Sequence, residues 1–472
     1  MRRYGHAMGK NNRVRRAAKA KRRTSRHDQR HGRNSRDERP TEPSPFAEPS
    51  FSTADLVEDL LGLATHAPRL RDTALVDGVV GRLCTLDPSA VNREAERQIL
   101  RSVGAAWNGG WQPMEVARQV RRTTDAATAG LALIAIAADH ARHRASNLDA
   151  RWAAQLIALD LPPDPAGNAW LADWARHDQL TRREQIRSVI ALLQSLAAIS
   201  PIPILIPPPG AGARAGRDTI IDLVSRANDP MLDRVRALLA QAESTKYEAE
   251  AEAFTAKAQE LMTRHAIDMA MVSASAQRSE QPGTIRIPID EPYVDAKSLL
   301  LQYVAESSRC RAVFHQRFAM SSVVGFADDL DATETLFTSL LVQAQIAMQA
   351  TASSAAPGTR TRSRFFRSAF LMAYAQRVAE RLDEINTYVV AGAEAETGRS
   401  ILPVLAARSS LVDATVGEMF GRLGTSAVRG GLDAAGWASG RMAADRAQLN
   451  FGDLAQPIPA ISDPGAIPAH NH

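Results

Sequence analysis

The chain's 472 residues, 45% hydrophobic and 23% charged, suffice for a folded protein of two or three domains, and aromatics at 5% leave the core to Leu, Val, Ile and Ala. The net charge of +5 is unevenly spread: residues 1–40 hold 15 Lys or Arg against Asp28, Asp37 and Glu38, a net of +12, so the remainder carries −7. Two cysteines exclude a disulfide framework, the longest apolar run (Ala129–Ala138) is half of the roughly 20 residues a membrane span needs, and no apolar segment follows the basic start as a secretory signal requires.

Residues 1–39 have almost no apolar side chains to bury and are expected to be disordered in isolation. Within them Arg13, Arg15, Arg16, Lys19, Lys21, Arg22 and Arg23 fall in 11 residues. Each cation that pairs with a phosphate releases condensed counterions, so this run is expected to bind DNA or RNA without sequence preference. Its plainer role is that of a solubilising tail. Pro40, Pro43, Pro45 and Pro49 continue the arm as an extended linker to residue 52.

Residues 53–200 show only helical patterns, and an all-helical domain is expected there. The segments are Thr53–Ala67, Leu70–Leu86, Pro88–Trp107, Pro113–Arg144, Leu148–Leu159, Ala166–His177 and Thr181–Ile199. Pro88 and Pro113 stand where first-turn prolines belong, and Pro162-Pro163 is a break. Trp170 and Trp174, one turn apart, are expected to face inward. Residues 201–218 are rich first in Pro and then in Gly, and mark a linker.

Residues 219–272 are expected to form a hairpin domain, and Met231–Asp268 within it is the most strongly specified segment. Leu232, Val235, Leu238, Leu239 and Ala242 recur at helical spacing; the pattern stops at Glu243-Ser244-Thr245 and resumes with Ala251, Phe254, Ala258, Leu261, Met262 and His265. Thr245 and Glu248 have the spacing of a capping box, and Glu248, Glu250 and Glu252 lie where the helix dipole favours negative charge. Two amphipathic helices with so short a join imply an antiparallel αα-hairpin. The stretch VRALLAQAEST followed by EAEAFTAKAQELMTRHAID resembles the bacterial family called domain of unknown function 2786, over Val235 to Asp268. Looser similarity to longer members covers GKNNRVRRAAKAKRR near the start, GWQP at Gly110–Pro113, RWAAQL at Arg151–Leu156 and PPPG at Pro207–Gly210. Related chains begin near Met8, and members often carry Pro where this chain has Glu248, a residue equally suited to a first turn. The resemblance implies no activity, since the family has none assigned.

After a polar linker, residues 283–450 are expected to form an α+β domain. Strands are expected at Thr284–Ile289, Arg311–Gln316 and Ser321–Phe326, with a helix at Ala296–Ser308. Helices follow at about Asp329–Thr351 and Ser363–Val390, then a last strand at Pro403–Ala407 and helices at Leu411–Arg422 and Leu432–Gln448, the latter punctuated by Gly436 and Gly440. Residues 451–472 are expected to be a disordered tail. The fold class is therefore mainly α with an α+β C-terminal part containing a small sheet.

Three clusters could carry chemistry. Arg360, Arg362, Arg364 and Arg367 surround Phe365, Phe366 and Phe370 at a helix start, where guanidinium groups oppose the dipole unless an anion is present. They are an anion-binding candidate, and exposed Phe beside Arg would suit stacking on bases. The plainer reading makes Phe366, Phe370 and Tyr374 a core stripe with solvated arginines. Asp328, Asp329, Asp331 and Glu334 follow a strand and read as ordinary first-turn acids before they read as a metal site. Asp139, His140 and His143 place two imidazoles one turn apart without a third ligand nearby.

No H-E-x-x-H, Walker A, G-x-S-x-G or Rossmann pattern is present, so no catalytic residue, metal or cofactor is assigned. The hairpin holds five Lys or Arg against seven acids, which argues against a DNA-reading helix. The expectation is a cytoplasmic, non-catalytic protein that touches nucleic acid through its arm and an unknown protein partner through the hairpin, without a membrane. The alternative is an enzyme with its site in the α+β part.

Overall fold

The computed structural model describes residues 52–70, 73–144, 148–162, 169–210, 230–244, 248–275, 280–354, 361–424 and 433–446. The arm with its seven cations, the capping residue Thr245, Arg360 and the 451–472 tail lie outside these described residues.

Among the described residues the first layer contains eight helices: α1 Thr53–Leu70, α2 Thr73–Cys84, α3 Pro88–Asn108, α4 Pro113–Thr123, α5 Ala126–His140, α6 Ala150–Ala158, α7 Trp170–His177 and α8 Arg182–Ala198. Caps set several of the starts. Asp87 accepts the Ala90 N–H at 2.8 Å with Pro88 in the first turn of α3, and Thr181 and Glu184 form a capping box on α8. The single helix expected over Pro113–Arg144 is two. Thr124 is extended, and Asp125 then caps α5 by accepting the Thr128 N–H at 2.9 Å. A short acid beside two β-branched residues satisfies the backbone better as a cap than within a helix.

Leu61, Leu83, Ile99, Leu131, Ile136 and Ile190 are buried at the centre of this layer. Trp170 and Trp174 face inward, and Trp107 meets Trp152 edge-on at 5.1 Å. Of the Pro- and Gly-rich stretch, residues 201–210 run along the same layer. The Ile202 N–H donates to the Gly109 carbonyl at 2.9 Å, and Ile206 is buried among the core residues. Gly110 has φ +86°, and a Cβ there would come within 2.1 Å of the Ile202 carbonyl, so this crossing requires glycine.

The second part begins with the hairpin, α9 Pro230–Ser244 and α10 Glu248–Ser275. Its apolar faces are turned into a second core: Val235, Leu239, Ala258, Met262, Ile267 and Ala270 are all buried there. Then come β1 Gly283–Pro288, α11 Val294–Ser307, β2 Arg311–His315 and β3 Met320–Gly325. The sheet is antiparallel in the order β1-β3-β2, with Ile285 opposite Val323 and Val313 opposite Ser322. The central strand β3 is buried throughout, as a strand paired on both edges and covered by helices should be.

Among the described residues four helices follow: α12 Ala327–Ser354, α13 Arg364–Thr397, α14 Leu402–Phe420 and α15 Ala434–Arg446. The strand expected at Pro403–Ala407 is instead the first turns of α14. Proline is tolerated at a helix start, where its missing N–H has no partner to lose, and Leu405 then packs into the second core. Helix α15 lies directly on α13, because Gly436 and Gly440 allow it. A Cβ at Gly440 would sit 2.2 Å from the Phe370 carbonyl oxygen, and one at Gly436 2.5 Å from that of Phe366.

The layers are joined by two arginines. Arg286 of β1, with a side chain 2% exposed, donates to Glu115 Oε1 at 2.6 Å and to the carbonyls of Gly110 at 2.7 Å and Pro203 at 3.1 Å. Arg118 of α4 donates to the carbonyls of Ile289, Phe318 and Ala319 and to Asp290 Oδ1 at 2.9 Å. The Trp111 ring stands edge-on to Phe318 at 4.8 Å beside them.

Candidate functional site

The start of α13 separates the two readings of its aromatic and basic residues. Ser363 caps the helix by accepting the Phe366 N–H at 3.1 Å. Phe366, Phe370 and Tyr374 are buried as a stripe and stack with 6.5 Å between successive rings. Phe365 is 67% exposed, and Arg362 and Arg364 are exposed on either side of Ser363. Arg367 is half-buried, and its Nε is buried without a hydrogen-bond partner. A buried guanidinium N–H in that condition is rare and marks a place where a water or an anion would be favourable. The helix start thus combines an ordinary core stripe with two solvated cations and one exposed ring.

The acidic cluster resolves differently. Asp329 is buried in the first turn of α12, held by Arg309 at 2.6 Å and by Arg408 of α14 at 3.7 Å. Arg408 also covers the Phe326 ring at 3.7 Å and reaches Glu280 at 3.5 Å. The carboxylate therefore joins three elements as the centre of an ion group, in which each charge compensates another's desolvation. Among the described residues Asp329 pairs with Arg309 and Arg408, and not with the helix-start arginines. Among the described residues no group of three or more His, Cys, Asp or Glu could hold a metal ion.

Next to this group the Cys310 thiol is pushed up to about 12, by burial first and then by the Asp329 carboxylate, so it stays protonated and unreactive. A Cβ on Gly325 would lie 2.3 Å from its sulfur. A cavity of about 710 Å³ opens nearby between α11, α13 and α14. Its acids are largely committed: Glu380 accepts from Arg377 and Arg441 at 2.9 and 3.0 Å, and Glu394 accepts the Ile401 N–H at 2.8 Å. These contacts tie helices together and bring no nucleophile beside a base.

Sequence reasoning missed Arg286, Glu115, Arg118, Arg309 and Arg408. Each looks like a solvated charge in a linear reading, because its partner lies far along the chain. The Gly110–Pro113 stretch is the nearest available signal for the first three, since it stands at the seam that Arg286, Glu115 and Arg118 make.

Residues 231–269 match a family model described as "Protein of unknown function (DUF2786)". No curated protein and no solved structure matches the chain.

Proposed function

The chain carries the DUF2786 segment at residues 231–269, and from that premise we propose a non-catalytic, nucleic-acid-associated protein. In this reading the basic arm holds the phosphate backbone, the start of α13 adds an aromatic contact, and the outer face of the hairpin receives a protein partner. The observation that carries it is the division of charge, +12 in residues 1–40 against −7 in the rest. An acidic body repels phosphate, so attraction is concentrated in the arm and must be strongly salt-dependent. Arg362, Arg364 and the exposed ring of Phe365 give a local exception within the body, suited to an unstacked base and its phosphate.

The hairpin's role follows from which of its faces is already used. Val235, Leu239 and Met262 are buried within the chain, so a partner would meet the charged side bearing Asp233, Arg234, Arg236, Arg264 and Asp268. Such a contact would be polar and salt-sensitive, unlike the groove-and-helix contacts an apolar stripe would make.

Fluorescence anisotropy with mixed-sequence DNA and RNA tests the proposal. If the seven cations of residues 13–23 all meet phosphates, log K should fall against log salt with a slope of about −6 on DNA. Deleting residues 1–39 should remove most of the binding. In the full chain, Arg362→Glu with Arg364→Glu should weaken it further while costing under about 0.5 kcal/mol of stability, because both positions are exposed. Equal binding by the truncated chain would place the contact on the folded body and sink the arm's role.

A further inference from the structure

The first layer holds a cleft that neither the arm nor the α13 start uses. It lies between α3, the end of α5 and the Pro207–Gly210 stretch, and encloses about 520 Å³. Asp139, on the last turn of α5, is buried and accepts the Trp107 indole N–H on Oδ2 at 2.8 Å. His143, one turn further on, places Nε2 3.4 Å from the same oxygen, and the guanidinium of Arg142 stands 3.9 Å from Oδ1. Arg101 of α3 adds a second guanidinium to the lining, steadied at 3.1 Å by Glu58 of α1. Leu100 and Ala105 and the rings of Pro208 and Pro209 make the apolar walls.

A carboxylate this deeply buried is costly unless it is paired and hydrogen-bonded. Trp107 supplies the hydrogen bond and His143 a second contact, which orients the imidazole: with Nε2–H toward Asp139, Nδ1 is left as an acceptor, suited to the P–OH of a singly ionised phosphate. The lining brings two guanidinium groups, Arg101 and Arg142, to one cleft, with the Asp139 carboxylate beneath them and Glu58 holding Arg101 from outside the lining. Two such groups suit a phosphate monoester, because guanidinium forks bind phosphate oxygens in pairs. The flat proline faces and aliphatic walls suit a planar ring rather than a second charged group, and the volume lies within the range of small-molecule sites.

We propose that this cleft binds a small phosphate monoester with a flat ring, in chemical class a mononucleotide. Its phosphate lies between Arg101, Arg142 and His143, and its ring lies against the Pro208-Pro209 wall. This reading is independent of the arm, because the arm's cations recognise any polyanion whereas the cleft is built for one monoester.

The test is calorimetric titration of the full chain with AMP, adenosine and inorganic phosphate, with the Trp107 indole N–H followed by NMR. AMP should bind and move the Trp107 resonance, with adenosine and phosphate each roughly tenfold or more weaker. Arg142→Gln and His143→Gln, at side chains 61% and 29% exposed, should each weaken AMP roughly tenfold without unfolding the layer. AMP held only by the arm would bind both variants as well as the wild type and leave Trp107 unmoved, which overturns the proposal. So would the absence of AMP binding up to about 10 mM, and phosphate alone binding as tightly as AMP would overturn the assignment of the ring wall.

Discussion

Two junctions in this molecule join elements far apart in sequence, and they do so by opposite means. Where α15 meets α13, side chains have been removed: Gly436 and Gly440 let one helix backbone rest on the carbonyls of Phe366 and Phe370. Where β1 meets α4, a long side chain has been inserted: Arg286 passes between the layers and ends on Glu115 and two carbonyls. The first junction tolerates no added atom, and the second tolerates no lost one. Close packing governs the former and the cost of unpaired buried polar groups governs the latter.

The larger effect is expected at the inserted side chain. Arg286→Met should lower unfolding stability by about 3–5 kcal/mol, since it strands the Glu115 carboxylate and the Gly110 and Pro203 carbonyls. Burial already pushes the Glu115 carboxyl above its ordinary range, with Arg286 opposing that shift. Removing Arg286 should therefore protonate Glu115 and bring the loss toward the lower end. Adding Glu115→Met should recover much of the loss, because an apolar pair of similar volume often matches a buried ion pair. Urea denaturation measures both, and a single-variant loss below about 1 kcal/mol would show that water reaches the seam.

At the glycine junction Gly440→Ala should cost about 1–3 kcal/mol, at the upper end because the clash is with a carbonyl and not with a flexible side-chain tip. Gly392→Ala is the internal control. It lies on α13 with nothing within 4 Å of the added methyl, and should stabilise by about 0.4–1 kcal/mol through helix propensity and the unfolded chain. If both substitutions shift the thermal midpoint alike, α15 does not rest on α13 as described.

The contrast also explains what could be read from the sequence. Periodicity is local, so the hairpin, the three strands and most helices were legible to within a few residues. Gly436 and Gly440 stood out as breaks in a helical pattern, yet only a neighbouring helix gives them a purpose. Arg286, between Ile285 and Ile287, reads as the solvent face of an alternating strand, because nothing nearby in the chain announces Glu115. Pro403 before Val404-Leu405 serves a strand beginning or a helix start equally well in a linear reading. The two Phe readings at α13 could be separated only by exposure: Phe366 and Phe370 are core, and Phe365 beside them is not. Asp139 and His143 were visible as neighbours on one helix, but Trp107 and the proline wall come from segments their spacing does not reveal.

The smallest effect expected is one of pH, and it returns to Arg286. His315 on β2 is half-buried, with Nε2 2.8 Å from the Ser322 hydroxyl and its ring tilted against Phe420 at 5.8 Å. Burial lowers its pKa first, and the Arg286 charge lowers it further. A folded value below the unfolded one means that the neutral ring contributes stability at pH above about 6.5, and that this contribution is lost as pH falls through the folded value. Stability of the wild type should therefore decline more steeply below about pH 6.5 than that of His315→Gln. Glu115, raised by burial, biases the slope the other way, so only the difference between the two proteins isolates the histidine. In Arg286→Met the neighbouring positive charge is gone, and the His315 titration followed by NMR should move upward toward its ordinary range. A titration indifferent to Arg286 would leave burial as the whole cause, and would mean that the arginine's charge is fully spent on Glu115 across the seam.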